Sequence, residues 1–222
     1  MSIFTNNLSI SVFGESHGPN IGITIHNFPA NISLNLDNIK AALKSRNAFT
    51  ISKSPRTEQD EFSIISGYYN GVTTGAPLTF IIANKDVDSK PYLDNYGISR
   101  PSHADYTAFV KYKGANDFRG GGHLSGRLTA LYMILGSICE EELAKRGIVV
   151  YSRIKSIYDI DDESIVTNYQ MLDKTFPVND EAKKAKMIEL LKSLTDDSVG
   201  GVVETCIKGV KAGTFFVLAV FP

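Results

Sequence analysis

Three short segments of this chain gather side chains able to move protons or hold anions. The first, Gly14-Glu15-Ser16-His17-Gly18, matches the Gly-x-Ser-x-Gly pattern of a serine nucleophile elbow. That elbow needs a strand before the serine and a helix after it. Here Pro19-Asn20 leads into Ile21-Gly22-Ile23-Thr24-Ile25, a strand, and only thirteen residues precede the motif, so a hydrolase is disfavoured. Two readings remain for His17, a proton carrier in a loop and a polar residue of a plain hairpin turn. The second segment is Arg100-Pro101-Ser102-His103-Ala104-Asp105-Tyr106-Thr107. Pro101 biases Arg100 away from helical backbone, so the guanidinium and the imidazole three residues on project from a short loop. A cation beside a ring that titrates near neutrality suits an anionic ligand, with His103 as proton carrier. The competing reading is a histidine satisfied locally by Asp105. The third segment, Asn116 to Ala130, carries Arg119-Gly120-Gly121-Gly122 and then Ser125-Gly126-Arg127. Glycines before a helix start let backbone amides approach a ligand, and Arg119 with Arg127 near that positive end points to a bound phosphate or carboxylate. The alternative is a flexible glycine loop with solvated arginines. A Walker lysine and a Gly-x-Gly-x-x-Gly are both missing, so the usual nucleotide sites are unsupported.

The elements that must position these segments follow from hydrophobic spacing. Leu8 to Phe13 and Ile21 to His26 read as strands flanking the first segment. Leu36, Ile39 and Leu43 recur at helical spacing and put Arg46 near a helix end. Glu61 to Ser66, Gly71 to Thr74 and Leu78 to Ala83 read as strands, and Asn84 to Ser99 as a polar loop. Leu128, Leu131, Leu135 and Ile138 predict a helix that stops at Lys145-Arg146-Gly147, with the glycines leading into it. Ile148 to Ile154 reads as a buried strand, Asp180 to Leu194 as an amphipathic helix, and Gly200 to Val210 as a strand with Cys206 packed rather than reactive. The residue pattern alone leaves α/β and α+β both open.

Composition narrows the partners. The 222 residues are 43% hydrophobic and 21% charged, an ordinary globular balance. Twenty-three basic against 24 acidic side chains give a net charge of −1, so no global field recruits nucleic acid or an anionic membrane, and any anion site is local. Two distant cysteines, Cys139 and Cys206, fit a reducing compartment and a cytoplasmic chain, and no secretory leader is read at the N-terminus. No metal site is predicted. The longest apolar run, Phe215 to Phe221, falls short of the roughly 20 residues of a membrane span and predicts a sticky strand edge.

Taken in order, these three segments, together with Arg56-Thr57-Glu58-Gln59-Asp60 and Gly71-Val72-Thr73-Thr74-Gly75-Ala76-Pro77, resemble chorismate synthase from Leu8 to about Gly213. The resemblance implies an α+β fold, a β-α-β sandwich of the chorismate synthase type, here its N-terminal part over residues 1–213. It implies a shikimate-pathway lyase that converts 5-enolpyruvylshikimate 3-phosphate to chorismate and phosphate on reduced FMN, a flavoprotein linked to NADPH and assembled as a homotetramer. By motif position, His17 and His103 become the catalytic histidines, the first toward the departing phosphate and the second toward the flavin. Arg46, Arg56, Arg100 and Arg127 become substrate-binding, and His103, Arg119, Gly120, Gly121, Gly122 and Ser125 cofactor-binding.

The chain departs from the family pattern in three places. Arg-Pro-Gly-His is Arg-Pro-Ser-His here, mild if position 102 does not need positive φ. Gly-Arg-Ser-Ser-Ala-Arg-Glu-Thr-Ala becomes Gly122-His123-Leu124-Ser125-Gly126-Arg127-Leu128-Thr129-Ala130, which keeps Arg127 and Thr129. After Gly213 the apolar residues 214–222 stand where family members continue into a second half. The expectations are therefore two: an active lyase, or an inactive truncated fragment that keeps part of the fold and a substrate-anion site, with weak FMN binding.

Overall fold

The computed structural model describes residues 2–5, 7–46, 60–85, 87–168, 172–173, 175–194 and 199–213. Arg56 and the apolar stretch from Thr214 onward, both singled out above, lie outside these residues. The described residues divide into two compact units, and the change-over falls between Ile138 and Cys139.

The first unit is built on alternation. Ile21, Ile23 and Ile25 face Ile82, Phe80 and Leu78 across one antiparallel ladder, and all six side chains are fully buried. Each such side chain contributes roughly 1.5–3 kcal/mol by leaving water. These residues belong to β3 (Asn20–His26) and β7 (Leu78–Ala83) at the centre of a five-stranded sheet. With β1 (Ser2–Thr5), β2 (Ser9–Gly14) and β4 (Phe62–Ser66) the strand order is β1-β2-β3-β7-β4, and every neighbouring pair is antiparallel. A short ribbon pairs β5 (Tyr68–Tyr69) with β6 (Val72–Thr73). Helix α1 (Leu36–Arg46) buries Ile39 and Leu43 in the same core, as its spacing predicts, and Arg46 is its last residue. The cluster is completed by Ala130, Leu131, Ile134 and Ile138 of α4 (Thr129–Ala144). Leu135, predicted for that stripe, is only half-buried, and Ile134 takes its place.

Helix α4 ends where its sequence says it should. Gly147 adopts a φ of 73°, its N–H returns to the Ala144 carbonyl, and the Ile148 N–H reaches Leu143. Its beginning differs from expectation. Two 3-10 turns, Gly122–Leu124 and Gly126–Leu128, separate the glycines from α4, so Arg127 precedes the helix rather than lying in its first turn. Five elements were not foreseen: β1, β5, β9 (Ile160–Asp161), α2 (Lys90–Asp94) and α3 (Asp105–Tyr112). Helix α2 buries none of its side chains and α3 buries only Ala108, so neither leaves an apolar stripe in the sequence.

The second unit holds a three-stranded antiparallel sheet of β8 (Val149–Ile157), β9 (Ile160–Asp161) and β10 (Gly201–Lys208) in the order β10-β8-β9. Helix α5 (Glu181–Ser193) is capped by Asp180, whose carboxylate accepts from the N–H groups of Ala182 at 2.8 Å and Lys183 at 3.0 Å. Phe176, Val178 and Met187 form its small core with Ile154, Ile157 and Ile160. Strand β8 is longer than the predicted Ile148–Ile154 and mostly half-buried, and its one fully buried residue is a charged one, Arg153. Antiparallel sheets with packed helices make the class α+β.

Candidate active site

All described residues of the site lie in the first unit. It begins with the β2–β3 loop. The Ser16 N–H bonds the Gly122 carbonyl at 3.1 Å, and the Asn84 side-chain amide donates to the carbonyls of Glu15 (3.0 Å) and Gly18 (2.8 Å). This loop is therefore clamped from two distant parts of the chain, and Ser16 is buried. Its hydroxyl lies 3.0 Å from His17 Nδ1 and 3.4 Å from the Arg119 carbonyl, to which it can donate.

The glycines supply the floor. Gly120, Gly121 and Gly122 all have positive φ, 59°, 104° and 53°, a run that side-chain-bearing residues do not tolerate. A Cβ at residue 120 would overlap the His17 ring, and one at 121 would lie 3.3 Å from His103 Cε1. The two imidazoles thus pack on successive residues of one loop. Tyr92 of α2 meets His17 edge-on, with ring centroids 4.9 Å apart, and lies 5.2 Å below the Arg100 guanidinium. Arg100 in turn grips Asp105 through Nε (2.8 Å), Nη2 (2.8 Å) and its backbone N–H (3.0 Å), and Asp105 Oδ1 stands 2.8 Å from His103 Nδ1. The Arg100 hydrogen bonds hold the Asp105 carboxyl well below the usual carboxylate range. Asp105 satisfies His103 locally, and the ring also stands beside the Arg100 guanidinium and on the glycine next to the one that carries His17.

A second cluster adjoins the first. Arg46 and Arg127 share the buried carboxylate of Asp60, Arg46 at 3.4 Å and Arg127 in closer contact. Arg46 also donates to Thr129 Oγ1 at 3.2 Å and to the Gly126 carbonyl at 3.4 Å. Arg127 donates from Nε to Asn84 Oδ1 at 3.3 Å, which ties this cluster to the His17 loop through one side chain. Ser125 Oγ accepts the Arg127 N–H at 3.2 Å and keeps its own proton to donate.

Sequence reasoning brought forward His17, His103, Arg46, Arg100, Arg119, Arg127 and Ser125, and the fold gathers them from four segments. Arg46 stands with Arg127, and Arg100 with the histidines. Arg119, expected toward a cofactor, is braced against Asp117 through Nε and Nη2, both at 2.8 Å, which leaves its carbonyl as the part facing Ser16. Asp60, Asn84 and Tyr92 were not singled out. Asp60 closed the quoted Arg56–Asp60 motif and so had a signal, whereas Asn84 and Tyr92 had none. The departures resolve as follows. Ser102 has a φ of 56°, so this position does adopt left-handed backbone and the serine is strained there. His123 contacts the Tyr112 hydroxyl at 3.2 Å, and burial lowers its pKa, so it brings no fixed charge in place of an arginine. Leu128 is buried in the core.

The chorismate synthase family model matches residues 8–215. The chain belongs to the chorismate synthase family. It is 39% identical over 209 residues to the chorismate synthase of Thermococcus kodakarensis and 38% identical over 206 residues to that of Dehalococcoides mccartyi. These alignments cover 93% and 89% of this chain but 58% and 56% of the relatives. A crystal structure of chorismate synthase superposes with a TM-score of 0.64 at 26% identity, over 93% of this chain and 58% of that one. The chain therefore spans somewhat more than half the length of these relatives and shares the α+β fold of their N-terminal portion.

Proposed function

We propose that these residues form the N-terminal share of a chorismate synthase active site, which converts 5-enolpyruvylshikimate 3-phosphate to chorismate and phosphate. The observation that carries the reading is the packing of His17 and His103 on consecutive glycines beside Arg100. In the 1,4-elimination a ring proton passes to a base, its C–H electron pair becomes a new ring double bond as the existing one shifts, and the C–O bond to phosphate breaks with its electron pair leaving on the phosphate. A departing phosphate needs positive charge and a proton. Arg46, Arg100, Arg127 and, by motif, Arg56 supply the first, through the charge-assisted donors that suit phosphate and carboxylate. His17 supplies the second. With Nδ1 beside the Ser16 hydroxyl, it is the protonated, imidazolium form of the ring that can deliver a proton from Nε2, and it is left neutral afterwards.

The donor set also fits reduced FMN, an anionic group with several acceptors. The Ser125 hydroxyl retains a proton to donate, no neighbouring atom crowds a Cβ position at Gly126, and His103 adds a ring nitrogen. His103, Arg119 through its backbone, Gly120, Gly121, Gly122 and Ser125 would hold the cofactor, with Arg119's guanidinium already committed to Asp117. When bound, reduced FMN supplies the electron density that eases phosphate departure and is regained unchanged. The proposal includes a cytoplasmic homotetramer linked to NADPH for flavin reduction, with neither nucleic acid nor membrane as partner.

The test is chorismate absorbance from purified chain given reduced FMN and substrate without oxygen. Replacing His17 or His103 by Ala is expected to lower turnover about 100-fold or more. Turnover indifferent to both changes would sink the reading. A second reading rests on the 58% coverage of the relatives: these residues alone keep the substrate-anion site with weak FMN binding and no turnover. Calorimetric substrate binding without chorismate release selects it.

A further inference from the structure

Asp105 is the partner of Arg100, and its geometry also constrains His103. One oxygen accepts the Arg100 backbone N–H at 3.0 Å and Nε at 2.8 Å, and the other accepts Arg100 Nη2 at 2.8 Å while standing 2.8 Å from His103 Nδ1. Three donors from one residue fix the carboxylate in position, and its oxygen can only accept. Arg100 Nη2 lies farther from Nδ1, at 3.3 Å, and is itself a donor, so the shorter carboxylate contact decides which way the ring proton points. Gly121 limits the ring from the other side, with its missing Cβ 3.3 Å from Cε1. A solvated neutral histidine side chain favours the proton on Nε2, and this arrangement reverses that preference.

We infer that Asp105 is the positioning residue of the site: braced by Arg100, it holds neutral His103 with its proton on Nδ1 and leaves Nε2 to exchange protons with a ligand. The ring then gives and takes a proton at one fixed atom, as proton transfer in a confined site requires. His17 meets a neutral hydroxyl at Nδ1, which can donate or accept, whereas the carboxylate at His103 can only accept. The same logic governs a serine protease histidine, where replacing the buried aspartate by asparagine leaves the geometry but gives the wrong tautomer.

This inference rests on the proposed function only for the importance of His103, and its test separates the two. Two-bond proton–nitrogen correlation spectra of the chain labelled at histidine nitrogen report the tautomer without substrate or flavin, with the His103 signal assigned by its loss in His103→Gln. The wild-type ring is expected as Nδ1–H at a pH where it is neutral. Asp105→Asn is expected to move it to Nε2–H, and Asp105→Glu to restore Nδ1–H at least in part. A wild-type ring carrying its proton on Nε2 overturns the inference and needs no variant to fold. So does an Asp105→Asn ring still protonated on Nδ1. In the turnover assay Asp105→Asn should lower kcat about 100-fold or more with KM little changed. A flipped tautomer with unchanged kcat would instead remove His103 from the proposed reaction while the Asp105 pairing stands.

Discussion

Each unit of the chain buries an arginine against a carboxylate, and the two arrangements are inverted. In the second unit one guanidinium, Arg153, is shared by two carboxylates, Asp162 at 3.3 Å and Glu204 at 2.8 Å. In the first, one carboxylate, Asp60, is shared by two guanidiniums, Arg46 and Arg127. The carboxylates also face different partners. Asp162 accepts from the backbone N–H groups of Ser164 (3.0 Å), Asn179 (2.9 Å) and Asp180 (3.2 Å), and it thereby fixes the loop that enters α5. Asp60 meets side chains from the end of α1 and from the turn before α4, and Asn84 carries the contact on to the His17 loop. A carboxylate bonded to main chain holds a fold, whereas one bonded to guanidiniums from distant segments aims cations. The difference separates a structural knot from the proposed ligand site by a criterion that burial alone does not give.

The largest effect should come from breaking the structural knot. Asp162→Ala leaves Arg153 buried with one carboxylate fewer and three backbone amides without that acceptor, and it is expected to cost the second unit about 3–5 kcal/mol. Denaturant unfolding followed by amide exchange in β8 and β10 measures it. A cost below about 1 kcal/mol would erase the distinction drawn above. The acid limb of the stability curve adds a signed check. Burial pushes the Asp162 pKa up, but hydrogen bonds from Ser164 and the amides of Asp180, Ser164 and Asn179 outweigh it, and the net shift is downward. A carboxyl depressed in the folded state contributes stability above its unfolded pKa of about 3.9 and loses it as pH falls through the folded value. Stability should therefore drop below about pH 4, and Asp162→Asn should flatten that drop.

Arg46→Ala probes the other arrangement. Its side chain is about a quarter exposed, so the fold should lose little, on the order of 1 kcal/mol. Loss of one charge-assisted contact to a phosphate or carboxylate is worth about 1.5–3 kcal/mol, or roughly 10- to 100-fold in Kd. Calorimetric titration with 5-enolpyruvylshikimate 3-phosphate reads that change directly. Unchanged affinity with a large loss of stability would make Asp60 a second knot and leave the two units alike.

The two regions also differed in how much their sequence disclosed. Strands β3 and β7 and helix α1 were legible because each buries one face with an unbroken period. Helices α2 and α3 expose most of their apolar side chains, so the period that would announce them is missing. Within the site the ease of reading tracked sequence separation. His103 and Asp105 are two residues apart and their pairing was an explicit alternative, whereas Asp60 and Arg127 lie 67 residues apart and leave no trace in spacing. Asn84 was hidden for the same reason, since a residue that joins two loops needs only an amide at the right place. Arg153 in β8 went unnoticed because a lone charge in an apolar run reads as outward-facing until Asp162 and Glu204 are found beside it.

The smallest expected effect concerns backbone strain, of which each unit offers an exposed example. Ser102 in the first has a φ of 56° and Tyr158 in the second a φ of 54°. Left-handed backbone costs a side-chain-bearing residue roughly 1–2 kcal/mol, while glycine adopts it freely and loses more entropy on folding, so part of the gain is offset. Ser102→Gly and Tyr158→Gly should each stabilise by about 0.5–1 kcal/mol, a rise in Tm of roughly 1–4 °C at this size. Tyr158 is largely exposed, so its removal forfeits little packing. The two variants part company at the site. Ser102 links Arg100 to His103, and glycine there restores the Arg-Pro-Gly-His order of the family pattern. If the Asp105 carboxylate is what orients His103, Ser102→Gly raises Tm and leaves the Nδ1–H tautomer in place, as Tyr158→Gly does. A mixed tautomer in Ser102→Gly alone would show that loop strain, rather than the carboxylate, holds the ring, and the first unit's site would then depend on the conformation of one residue instead of on its charges.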